Sequence, residues 1–67
     1  MKILTVNNYP ICASESEILL KKEKEKCINS IKEDNTIIQE EENMIFYHDG
    51  IRYVEDIFDI RDINILR

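Results

Sequence analysis

Sixty-seven residues, 34% of them charged and 43% hydrophobic, with a formal net charge of −5, suffice for one domain with a small core. No apolar run approaches the roughly 18 residues that cross a bilayer, the N-terminus lacks the long apolar stretch of a signal peptide, and two cysteines are too few for a disulfide framework. The expectation is a cytoplasmic chain, off membranes, with reduced thiols at Cys12 and Cys27.

Residues 2–6, Lys-Ile-Leu-Thr-Val, are rich in β-branched side chains and run into Asn7-Asn8-Tyr9-Pro10, which reads as a first strand and its exit turn. Ser14-Glu15-Ser16-Glu17 matches a capping box with Ser14 as the N-cap, so a helix is predicted over about residues 15–33, stopped by Asp34-Asn35. Leu20, Cys27, Ile28 and Ile31 fall in one sector of that helix. Between them lies the fully charged stretch 21–26, where only Lys24 faces the core side and covers the gap with its aliphatic stem, its ammonium reaching water.

After Asn35 the period shortens. A candidate strand at 36–39 fades into Glu40-Glu41-Glu42, and two β-favouring runs, 43–47 and 51–54, flank Asp49-Gly50. A two-residue turn there places Phe46 opposite Tyr53 beside Met44, with Ile45, Tyr47 and Val54 on the other face; a three-residue loop with Gly50 in a bulge is the alternative. The tail repeats Asp-Ile at 56, 59 and 62, a period of three that fits neither strand nor straight helix. A short helical turn over 55–61 and a strand over 63–66 are expected. The resulting fold class is α+β, one amphipathic helix on a small, mostly antiparallel sheet in the order β-α-β-β-β.

The chemistry-bearing residues are sparse. Cys12, Cys27 and His48 lack the paired spacing of a metal site, and one His with either Cys lacks the orienting third group of a nucleophilic dyad. Gly50 is the only glycine, so no phosphate-binding loop is available. The expectation is a non-enzymatic chain without cofactor or metal.

Charge, by contrast, is unevenly placed: residues 1–33 carry six Lys against five Glu, while residues 34–67 carry nine acids against three Arg. An acidic half repels nucleic acid and attracts basic protein surfaces. The expected site is therefore one coherent acidic face built from Glu40, Glu41, Glu42, Glu55, Asp56, Asp59 and Asp62, with Tyr47 as an aromatic anchor. It would serve a small regulator or inhibitor that binds a basic protein partner, in one version by imitating a nucleic acid backbone. The wealth of Ile, Asn, Lys and Glu is the habit of AT-rich genomes and suggests a phage or other mobile element. The competing expectation is an assembly subunit, such as a homodimer, that pairs through a strand or the tail.

Overall fold

The computed structural model describes residues 1–63. Its elements are β1 (Lys2–Val6), β2 (Tyr9–Ser14), α1 (Glu17–Asp34), β3 (Thr36–Glu41), β4 (Met44–His48) and β5 (Tyr53–Asp62). The strands form one antiparallel sheet in the order β2-β1-β5-β4-β3, and α1 packs on one of its faces. The expected α+β class holds. The sheet contains one more strand than expected before the helix, because the turn after β1 leads into β2.

That turn has a clear local cause. Val6 pairs with Tyr9, and the two residues between them, Asn7 and Asn8, both take positive φ (52° and 68°). Two left-handed residues make the primed turn that matches strand twist, and Asn tolerates that region better than other non-glycine residues. Pro10, which cannot donate to a ladder, sits in β2 at the sheet's edge, where the lost donor costs least.

The helix begins two residues later than the capping-box reading. Ser14 belongs to β2, paired with Lys2, and its Oγ accepts the Ser16 N–H (3.0 Å). Ser16 is the N-cap, its Oγ accepting the Leu19 N–H at 3.3 Å. At the other end Asn35 is the C-cap; its Nδ2 donates to the Ile31 carbonyl (2.8 Å), and its extended backbone leads into β3. The predicted stripe is the one that packs. Leu20 and Ile28 are buried with Leu4, Ile45 and Phe58, and Cys27 and Ile31 rest against that cluster. Lys24 does cover the gap, but its ammonium bonds the β3–β4 turn, reaching the Glu42 carbonyl (3.2 Å) and the Asn43 Oδ1 (3.0 Å).

β5 replaces the helical turn expected over 55–61, and the strand expected over 63–66 lies almost wholly outside the described residues. The ten residues of β5 alternate strictly, with Val54, Asp56, Phe58 and Ile60 toward the helix and Tyr53, Glu55, Ile57, Asp59 and Arg61 away from it. Its first half pairs with β4 and its second half with β1, so this one strand joins two hairpins end to end and gives a molecule of 45 × 19 × 16 Å.

Asn7 extends the pairing beyond β1. Its N–H donates to the Ile57 carbonyl (2.8 Å), its Oδ1 accepts the Ile57 N–H (2.9 Å), and its Nδ2 donates to the Glu55 carbonyl (3.2 Å). A side-chain amide thus satisfies strand groups that would otherwise have no partner on that side.

The β4–β5 hairpin keeps the predicted faces with a different register. His48 pairs with Tyr53 and Phe46 with Glu55, so the loop is the four residues 49–52, neither the two nor the three expected. Asp49 Oδ1 accepts the N–H groups of Ile51 (2.8 Å) and Arg52 (2.9 Å), and Gly50 takes φ of 96°. These two bonds hold the Asp49 carboxyl below the ordinary carboxylate range. A slip of two residues leaves every side chain on its original face.

Candidate interaction surface

Strand alternation divides the expected acidic face between the two sides of the sheet. Asp56 and Asp62 have the helix-facing parity of β5, and Glu40, in register with the buried Ile45, shares it. Glu55 and Asp59 have the opposite parity, and Glu41 stands in register with Met44 and Ile57. Glu42 lies in the turn between β3 and β4.

The chain's own cations hold several of these groups. Glu40 pairs with Lys32 at 2.8 Å, Asp59 with Arg61 at 2.6 Å and Asp62 with Lys2 at 3.4 Å. Glu40, Glu41 and Glu42 border a groove of about 760 Å³ that Lys21, Lys24 and Lys32 of α1 also line. These pairs are at least partly solvated, so each contributes little to stability. They offset the carboxylates of Glu40, Asp59 and Asp62 locally and leave the net charge of −5 unchanged. Glu55, by contrast, has no such partner among the described residues.

Tyr47, the expected anchor, faces the helix side and packs against the core cluster. Its hydroxyl donates to Asp56 Oδ2 at 2.9 Å. Burial, followed by the bond and charge of Asp56, pushes the phenol up to about 12, which keeps it a donor at neutral pH.

Sequence reasoning did not single out the sheet face turned away from α1 as the aromatic site. Three register rows cross it at one end: Thr36–His48–Tyr53, Gln39–Phe46–Glu55 and Glu41–Met44–Ile57. The Tyr53 ring stands edge-on to both Phe46 (centroids 5.7 Å apart) and His48 (4.8 Å). The Nδ1 of His48 accepts the Gly50 N–H at 3.1 Å, which fixes the imidazole beside the turn. Tyr53 is 67% exposed and Ile57 49%. No element of the described residues covers this face. The two-residue alternation of 44–48 and 53–57 carried the signal, since it sets Phe46 and Tyr53 apart from Ile45 and Tyr47.

The thiols and the imidazole are on opposite sides of the sheet. Cys12 and Cys27 pack against the core beneath the helix, whereas His48 lies on the uncovered face. Burial, then the charge of Glu23, Cys12 and Asp56, raises the Cys27 thiol above its ordinary range, the reverse of thiolate activation. Among the described residues no three His, Cys, Asp or Glu side chains are grouped to share a metal ion, and no helix is long and apolar enough to cross a membrane. Comparison with family models, curated proteins and solved structures found no match to this chain.

Proposed function

We propose that this chain is a non-enzymatic interaction module, a small regulator or inhibitor, that seats a basic protein surface on the uncovered face of its sheet. The observation that carries the reading is the Phe46–Tyr53–His48 cluster with Met44 and Ile57 beside it and Glu55 in the same face. The exposed Tyr53 ring, with the half-buried Phe46 and His48 beside it and a carboxylate that has no cation among the described residues, suits an arginine of a partner, which stacks on the ring and pairs with the acid.

Two observations favour this reading over its competitors. Glu55 and Asp59 are four residues apart on one strand, about 13 Å, several times the phosphate spacing along a nucleic acid, which favours separated cations over nucleic acid mimicry. Both edge strands are interrupted by bulges, at Ile11 in β2 and Ile38 in β3, and the edges carry Pro10 and Glu40-Glu41. Those features oppose pairing between copies through strand edges.

The test begins with a partner captured on the immobilised wild-type chain and proceeds to its affinity by calorimetry. Glu55→Lys combined with Tyr53→Ala should weaken that affinity by about tenfold or more, and the wild-type value should fall between about 50 and 300 mM salt. A partner bound equally well by the double variant would refute the assignment.

A further inference from the structure

On the helix side, a groove of about 430 Å³ opens between the C-terminal half of α1 and the β1–β2 hairpin, formed by the apolar side chains of Val6, Ile11, Cys27, Ile31 and Phe58. One carboxylate, Asp56, stands in it. Its two nearest neighbours of the same parity in β5 are Val54 and Phe58, so the strand places a charge between apolar side chains. Asp56 Oδ1 accepts Asn7 Nδ2 at 3.1 Å and Oδ2 accepts the Tyr47 hydroxyl at 2.9 Å, both neutral donors. Among the described residues no Lys or Arg pairs with it, and Lys26, which also borders the groove, bonds Glu23 at 3.3 Å instead.

We propose that this groove is a binding site for a lysine side chain of a protein partner, with the methylene stem along Val6, Ile11, Ile31 and Phe58 and the ammonium on Asp56. A half-buried carboxylate without a cation gains most from a charge that arrives with its own apolar stem. Lysine is favoured over arginine by the carboxylate's existing bonds. Each oxygen already accepts one donor, which leaves one lone pair on each; a two-pronged guanidinium needs both of these on a single edge, whereas an ammonium needs only one. The site lies across the sheet from the aromatic cluster and stands or falls independently of the function proposed for that face.

The probes are Nα-acetyl-lysine methylamide, its norleucine analogue, which keeps the apolar stem without the ammonium, and its arginine analogue, each titrated into the ¹⁵N-labelled chain. The lysine probe is expected to shift the amides of Val6, Cys27, Ile31, Asp56 and Phe58 and to bind about fivefold more tightly than norleucine, the worth of one partly solvated ion pair. Asp56→Asn should level the two. Should that variant lose its folded circular dichroism, Ile11→Lys decides, because this half-exposed residue at the bulge would place an internal ammonium in the groove and block the probe. Norleucine binding as well as lysine, arginine binding more tightly, undiminished lysine binding to folded Ile11→Lys, or no groove shifts up to about 50 mM probe would each overturn the assignment.

Discussion

Asn7 and Asp56 show how single side chains decide this structure. Asn7 occupies a left-handed position, supplies the strand-like bonds that continue β5's pairing and donates to Asp56. Asn8, also left-handed, accepts a bond from Arg61 at the surface and no other side-chain bond among the described residues. Glycine relieves the backbone at either position but replaces the bonds at neither. Asn7→Gly should therefore lower unfolding free energy in urea by about 1–2 kcal/mol, while Asn8→Gly should stay within about 0.5 kcal/mol of wild type. Equal effects at both would show that the turn, and not the amide bridge, sets the energy. Tyr47 gives a pH signature. Its folded pKa of about 12 lies above the unfolded value near 10, so the native state holds the proton more tightly. The associated stability is complete below about pH 10 and is lost as pH rises through 12. Wild type should lose more stability than Tyr47→Phe between about pH 9.5 and 11.5, and parallel pH profiles for the two would contradict the Tyr47–Asp56 bond.

The helix and the β4–β5 hairpin were legible in the sequence because each depends on near neighbours. The stripe Leu20, Cys27, Ile28 and Ile31 and the stop at Asn35 needed only a period and a cap. Even there the cap moved from Ser14 to Ser16, because pairing with Lys2 drew Ser14 into β2. Ser16→Ala should accordingly cost about 1 kcal/mol by urea denaturation and exceed the loss from Glu17→Ala, whereas the reverse order would restore the capping-box reading. β5 was misread for a physical reason. Its Asp-Ile triplets obscured an alternation that Asp56 interrupts, and Asp56 is tolerated through Asn7, 49 residues away. Such a compensation leaves no local trace. The expected acidic surface failed to form as one face for the opposite reason: strand geometry is local, and period two sends Glu55 and Asp56 to opposite sides. The aromatic face was available from that same period once the strands were known.

As a whole, the molecule is a long, thin sheet with one helix. α1 covers a single face, and the other presents Phe46, His48, Tyr53 and Ile57 at one end and Asp59 paired with Arg61 toward the other. Net charge of −5 draws basic proteins toward the molecule at long range, while Glu40, Asp59 and Asp62 are each paired with one of its own cations, so short-range recognition on the uncovered face falls to Glu55 and the rings. The most direct check of that assignment is to titrate the captured partner into the ¹⁵N-labelled chain and follow every amide. Shifts concentrated at residues 44, 46, 48, 53, 55 and 57, and reduced by added salt, are the predicted result. Shifts confined to α1 and the Glu40–Glu42 turn, with those six residues unmoved, would contradict it.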